Sequence, residues 1–191
     1  MDDKCRCKWC NPKNPRYVAY HDEEWGVPNF DDGYLYEMLI LESFQAGLSW
    51  ECVLNKREAF RRAYDRFNIK KVIAYDAVKI DELYGNKEII RNRQKIAASV
   101  QNSKIFQSIV DEYGSFANYL KGFTGGVTLF ETDQTTNALS DALSKDLWRR
   151  GMRFVGSVTI YAYLQAIGVI QSHDKSCYLY QTKQKGFEER S

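Results

Sequence analysis

Residues 34–50 read YLYEMLILESFQAGLSW. Leu35, Met38, Leu39, Ile40, Leu41 and Phe44 recur at three- and four-residue intervals, the helical rather than the strand period, so residues 34–46 are expected to form a very apolar helix. The short AGLS loop follows, and Ser49 offers a side-chain oxygen to cap a second helix running from Trp50 to about Phe67. The pattern continues outward from this pair. All three prolines lie within the first 28 residues, so nothing interrupts helices from residue 29 onward. Asn68 and Asp76 are placed to cap two short helices. Asn86 is placed to cap a long one with Ile89, Ile90, Ile96, Val100, Ile105 and Ile109 as its apolar stripe, until Gly114 ends it. The Gly125, Gly126 pair marks a loop, and the VTLF after it is too short to imply a sheet. Ser140 begins a helix ending at Gly151, and Ser157 begins the last one, ending at Gly168. The expected fold class is all-α.

The chain has 191 residues with 27 Lys and Arg against 25 Asp and Glu, a formal charge of +2. That length suits one compact domain or two small lobes sharing a core. With 44% hydrophobic and 27% charged residues the composition is globular, which excludes wholesale disorder. No apolar run approaches the roughly 20 residues of a membrane span. Residues 1–10 read MDDKCRCKWC and lack the apolar stretch of a secretion signal. The odd count of 5 cysteines then points to a reducing cytosol, where clustered thiols bind metal more often than they pair. Near-neutral charge argues against wrapping nucleic acid over the whole surface, so any contact is expected to be local.

Only 2 histidines are present, so each is informative. His21 stands in YHDEEWG, while His173 and Cys177 stand in HDKSC, an H-x3-C spacing that puts two ligands on one side of a helical turn. One thiolate from Cys5, Cys7 or Cys10 would complete a tetrahedral Cys2His2 zinc site, and such a set has no open position for water, so it would be structural. The competing reading is that these are scattered core and surface residues, or that the CxCxxC cluster binds metal by itself.

Four blocks carry a resemblance: RCKW at 6–9, YVAYHDEEWGVP at 17–28, LESFQAGLSW at 41–50 and FVGSVTIYAYLQAIG at 154–168. Together they resemble the 3-methyladenine DNA glycosylase I family, a branch of the helix-hairpin-helix glycosylases, over essentially the whole chain. The resemblance implies one glycosylase domain over residues 1–191, with the hairpin region at about 140–168 and zinc-clasped termini at about 1–28 and 169–180. By the RCKW match the zinc ligands would be Cys7, His21, His173 and Cys177, with Cys5 and Cys10 as substitutes for Cys7. It further implies excision of 3-methyladenine from alkylated double-stranded DNA by a monomeric enzyme without lyase activity, since Val158 precedes Thr159 where bifunctional relatives carry a Schiff-base lysine.

Alkylation at N3 makes the base cationic and a good leaving group, so such an enzyme needs recognition more than acid catalysis. The resemblance implies that Trp9, Tyr17, Tyr20 and Trp50 line the base pocket, although core packing is the default role of such rings. Glu42 is the sharper case, because a carboxylate amid LYEMLILESFQAGL must be hydrogen-bonded, paired or protonated. The resemblance puts it on the amino edge of the flipped adenine as the catalytic residue, with Tyr20 to orient it and Gln45 as a further partner; the alternative is a structural carboxylate. Glu37 fits a solvated face. Asp174 adjoins a zinc-ligand candidate and suits a supporting or solvated role.

The segment RRGMRFVGSVT at 149–159 reads helix, tight turn, helix. Backbone N–H groups of Gly156, Ser157 and Val158 are expected to be free to bind a phosphate, with Arg153 beside them. Arg149 and Arg150, and Arg91, Arg93 and Lys95 on the long helix, are further cationic candidates. A rival from another class is a zinc-clasped DNA-binding module without catalysis; the Glu42, Tyr20, Trp50 set discriminates, because a pure binder has no use for a carboxylate in an apolar helix. A catalytic zinc hydrolase is disfavoured, because four protein ligands would leave zinc without its water.

Overall fold

A computed structural model describes residues 4–180. Its described residues form ten α-helices, a π-helical turn, a 3-10 turn and a two-residue parallel strand pair. The N-terminal segment leads into α1 (Pro15–Ala19) and the π-turn Tyr20–Glu24. The apolar stretch forms α2 (Asp32–Gln45), capped by Asp31, which accepts from Tyr34 N–H at 2.9 Å. Every residue from Met38 to Phe44 on α2 is buried, so this helix is enclosed on all sides. It packs against α3 (Trp50–Asn55), α7 (Arg93–Tyr113), α8 (Phe116–Thr124) and α10 (Ser157–Ala166). Short helices α4 (Arg57–Ala63), α5 (Ile69–Val72) and α6 (Ala77–Gly85) close one side. The hairpin is α9 (Ala138–Arg149) followed by α10.

Three boundaries differ from expectation. The helix starting at Trp50 breaks at Lys56, giving α3 and α4 before a 3-10 turn at Asp65–Phe67. The long helix starts at Arg93 under an Asn92 cap, so Ile89 is buried from a loop instead of a helix. Asn137 caps α9, with Ser140 three residues on returning the bond in a capping box. Ser49, Asn68 and Asp76 cap as read, and Gly114 ends α7 with φ +80°. Strands β1 (Leu129–Phe130) and β2 (Ile170–Gln171) pair in parallel, an element too short to show in the sequence.

The end of α10 holds the N-terminal segment. Gly168 has φ +78°, and a Cβ there would lie 2.4 Å from the Pro28 nitrogen, so only glycine lets the two backbones cross. Gly26 N–H donates to Gln165 C=O at 3.1 Å and Asn29 N–H to Ile167 C=O at 3.3 Å. The N-terminal region and the end of α10 are thereby joined beside α2.

Candidate active site

A cavity of about 210 Å³ opens where these elements meet, lined by Trp9, Tyr17, Tyr20, Trp25, Glu42, Gln45, Trp50, Ala162 and Gln165. It is smaller than the ~300–1,000 Å³ typical of drug-sized sites, a scale suited to one flat ring system. Each wall has a local cause. The Ser49 cap opens α3 directly with Trp50. The π-turn, whose Trp25 N–H reaches back five residues to Tyr20 C=O at 2.8 Å, faces Tyr20 to the cavity and His21 away from it. Arg57 fixes that turn by bonding Glu24 at 2.7 Å and Glu37 of α2 at 2.5 Å. Glu37 therefore does not lie on a solvated face: Arg57 and Arg61 both hold it.

Glu42 is 3% exposed, and its Oε2 has no hydrogen-bond partner; neither has Nε1 of Trp50. Burial pushes the Glu42 carboxyl well above the usual carboxylate range. Tyr20 lies close enough that burial and then the Glu42 charge both raise its phenol, but no hydrogen bond joins the two side chains, so the expected orienting hydroxyl is not in place. The rings brace one another, with Trp9 and Tyr17 at 5.1 Å, Trp9 and Trp25 at 4.9 Å, and Tyr20 and Trp50 at 5.4 Å between centroids. A carboxyl group and an indole N–H left unsatisfied at a cavity offer hydrogen bonds to a polar guest.

Next to this wall, Cys7, His21, His173 and Cys177 are all buried, and their ligand atoms lie within 4.8 Å of one another. Cys7 Sγ is 3.4 Å from His173 Nδ1, while Cys177 Sγ is 3.5 Å from His21 Nε2 and 3.6 Å from His173 Nδ1. Tetrahedral zinc with Zn–S of about 2.3 Å and Zn–N of about 2.0–2.1 Å would set its sulfur and nitrogen ligands about 3.6 Å apart, so this cluster fits a metal ion. His21 Nδ1 faces Asp22 at 2.8 Å and Nε2 accepts from Cys7 N–H at 3.2 Å, which assigns the ring proton to Nδ1 and makes Nε2, on the cluster side, the unprotonated nitrogen. Asp22 is itself gripped by Arg6; burial opposes its charge, but the Arg6 and His21 bonds outweigh that and hold its carboxyl at about 2. Cys10 points instead to Tyr17 C=O and Cys5 is exposed, so neither joins the cluster. His173 and Cys177 span a turn, with Cys177 N–H on Asp174 C=O at 2.7 Å, rather than the helical turn that the spacing suggested. Asp174 ties the two ends, accepting from Lys8 N–H at 2.7 Å and donating its own N–H to Cys7 Sγ at 3.3 Å.

At the hairpin, Gly156 precedes α10 with no side-chain cap, and the first helical bond is Ile160 N–H to Gly156 C=O. The Ser157 hydroxyl is engaged by Ser140 and Asp141, leaving the backbone of Gly156, Ser157 and Val158 as the donors. Val158 and Arg153 are exposed. A groove beside them is lined by Lys145, Trp148, Arg153 and Phe154 among others. Of the other cations, Arg91 and Arg149 are exposed, while three have partners or are buried. Arg150 is engaged by Glu112 and Asp146, Arg93 by Asp81, and Lys95 is buried.

The methyladenine glycosylase family model matches residues 9–180. The chain belongs to the methyladenine glycosylase family. It is 41% identical over 182 residues to DNA-3-methyladenine glycosylase 1 of Escherichia coli (strain K12), covering 92% of this chain and 96% of that one. Among solved structures, a crystal structure of 3-methyladenine DNA glycosylase I superposes with a TM-score of 0.87 at 37% identity, covering 91% and 98% of the two chains. A variant of 3-methyladenine DNA glycosylase I in complex with 3-methyladenine gives 0.86 at 34% identity, covering 91% and 96%.

Within this methyladenine glycosylase, Trp9, Tyr17, Tyr20, Glu42 and Trp50 share one cavity, Cys7, His21, His173 and Cys177 share one cluster, and Gly156, Ser157, Val158 and Arg153 share the hairpin. Three wall residues, Trp25, Ala162 and Gln165, are not singled out by the sequence. Trp25 lies in the YHDEEWG block and packs on both Trp9 and His173. Gln165 is a polar residue in an apolar helix, the same signal that exposed Glu42, and could have been found by it.

Proposed function

We propose that the cavity beside Glu42 receives a flipped 3-methyladenine, and that the bond between this base and its sugar is broken there by water. The protein excises 3-methyladenine from DNA as a DNA-3-methyladenine glycosylase I; the family membership and the relatives named above support this activity. The observation that carries the finer reading is the buried Glu42 carboxyl with its unpartnered Oε2, facing a cavity walled by four aromatic rings and the Trp50 indole.

The chemistry follows from the guest. An N3-methylated adenine in DNA is cationic, so an ionised Glu42 is its electrostatic complement in a low-dielectric pocket. Rings of Trp9, Tyr17, Tyr20 and Trp25 supply stacking surface that offsets the few kcal/mol lost on unstacking. When the C1′–N9 bond breaks, its electron pair goes to the base and cancels the positive charge. Water then adds its oxygen to C1′ and releases a proton, leaving an abasic sugar. Val158 provides no amine for a Schiff base, in keeping with a monofunctional enzyme. Gly156, Ser157 and Val158 N–H groups, with Arg153, would hold a phosphate of the alkylated duplex without reading its sequence.

Cys7, His21, His173 and Cys177 would hold one structural zinc, which supplies a tetrahedral tie between the ends of the chain and no open coordination position. The whole forms one glycosylase domain acting as a monomer. Among the described residues no helix is long and apolar enough to cross a membrane. The test is base release from alkylated duplex DNA: purified protein is expected to liberate 3-methyladenine and leave unbroken abasic strands. No free base at stoichiometric protein would refute the reading.

A further inference from the structure

We propose that Lys95 is a positioning residue that sets the distance between the base pocket and the DNA-holding hairpin. Its Nζ donates to Phe44 C=O at 2.9 Å and to Ala46 C=O at 2.5 Å. Those carbonyls belong to the end of α2, which has no basic residue of its own in the last turn. Lys95 thus supplies, from another helix, the cation and the donors that a helix C-terminus lacks. The two clamped carbonyls flank the pocket residue Gln45, and the chain runs on from them through Gly47, at φ +78°, and the half-exposed Leu48 to the pocket residue Trp50.

The same ammonium reaches the hairpin. Nζ lies 5.7 Å from the centroid of the Phe154 ring, a cation–π distance. Phe154 itself has φ +56°, a conformation costly for a side chain with a Cβ and retained only where neighbours over-determine it. The neighbour on its other side is held from the same helix: Asn102 accepts from Arg153 N–H at 2.9 Å and donates to Arg153 C=O at 2.8 Å. Lys95 and Asn102 are seven residues apart on α7, two turns and about 10.5 Å along one face. That rigid stretch joins the end of α2 to the hairpin loop. A glycosylase grips the backbone at one place and the extruded base at another, so an error of about 1 Å between them costs rate even when each site is intact. Burial also lowers the Lys95 ammonium from its usual range, a cost that a solvated role would not incur.

The inference rests on the pocket and hairpin roles proposed above. Three quantities test it: the kcat/KM for release of 3-methyladenine from alkylated duplex, the affinity for free 3-methyladenine, and the affinity for a duplex containing an abasic site. Lys95→Met is expected to lower kcat/KM tenfold or more and to weaken abasic-duplex binding, with free-base affinity within twofold of wild type. Asn102→Ala is expected to show the same split, and the double variant to lose less than the product of the single losses, because both act through one strut. Should Lys95→Met fail to fold, Lys95→Arg, with its longer forked head, is expected to show the split in smaller measure. Unchanged release, an equal fall in free-base affinity, or fully multiplicative losses overturn the strut. Wild-type protein that releases no base fails the underlying reading instead, and the two failures are distinguishable.

Discussion

The Cys2His2 cluster and the Glu42 pocket share a wall, yet they treat buried polar groups in opposite ways. In the cluster the four ligand atoms converge within 4.8 Å, and Asp22 orients His21 from outside. In the pocket Glu42 Oε2 and Trp50 Nε1 are buried without partners around about 210 Å³ of space. A set of polar groups converging on one point stabilises once it is satisfied, whereas polar groups left open store binding capacity at a cost in stability. The two sets touch through adjacent residues: Tyr20 and His21 follow one another on the π-turn, and Trp25 packs on His173 at 4.8 Å while lining the cavity.

Breaking the closed set is expected to have the largest effect on stability. Cys177→Ala should abolish metal binding and lower the Tm by about 10 °C or more, given the binding free energy of structural zinc and a domain of this size. Metal analysis and a thermal melt check it; a metal-free variant with the wild-type Tm would dissolve the contrast.

Breaking the open set is expected to do the reverse. Glu42→Gln should slow base release about a hundredfold while leaving the Tm unchanged or raised, since an isosteric amide removes a buried acid without emptying its space. A pH series sharpens this further. Burial raises the folded-state carboxyl above the unfolded value of 4.5, so the folded protein holds its proton more tightly. The stability of the wild type relative to Glu42→Gln should therefore be greatest below about pH 4.5 and fall as pH rises through the folded value. Release of the cationic base should move the opposite way, rising over that window as Glu42 ionises. A flat stability difference across pH in denaturant melts would return Glu42 to a paired, structural role.

The smallest effect belongs to the surface. Arg153→Ala should weaken duplex binding by a few-fold at low salt and reduce the slope of log affinity against log salt by about 1, with free-base affinity unchanged. An unaltered slope would remove Arg153 from the phosphate contact.

Much of this was readable along the chain. The enclosed α2 follows from apolar residues on every side, and Ser49, Asn68 and Asp76 cap helices because a short side-chain oxygen meets free amides there. Elsewhere the local chemistry holds but its register along the chain differs. Ser140 belongs to the capping box of α9 as its third residue, not as its cap. Ile89 is a core residue as its spacing implied, yet it arrives from a loop. Glu37 and Lys95 look like surface charges in the sequence because their partners, Arg57 in one case and the carbonyls of Phe44 and Ala46 in the other, are distant along the chain.

The sequence by itself determined the helical class, the residue types of both buried sets and the place of the hairpin, because helical period, capping and ligand chemistry are local properties. Ligand spacing left Cys5, Cys7 and Cys10 open and only the RCKW resemblance singled out Cys7; tertiary structure brings Cys7, and neither Cys5 nor Cys10, to His21, His173 and Cys177. It also decided that Trp25 and Gln165 complete the cavity, and that Lys95 faces inward. Those outcomes depend on which segments meet, and meetings such as that of Gly168 with Pro28 are set by packing across the whole chain rather than by any neighbourhood within it.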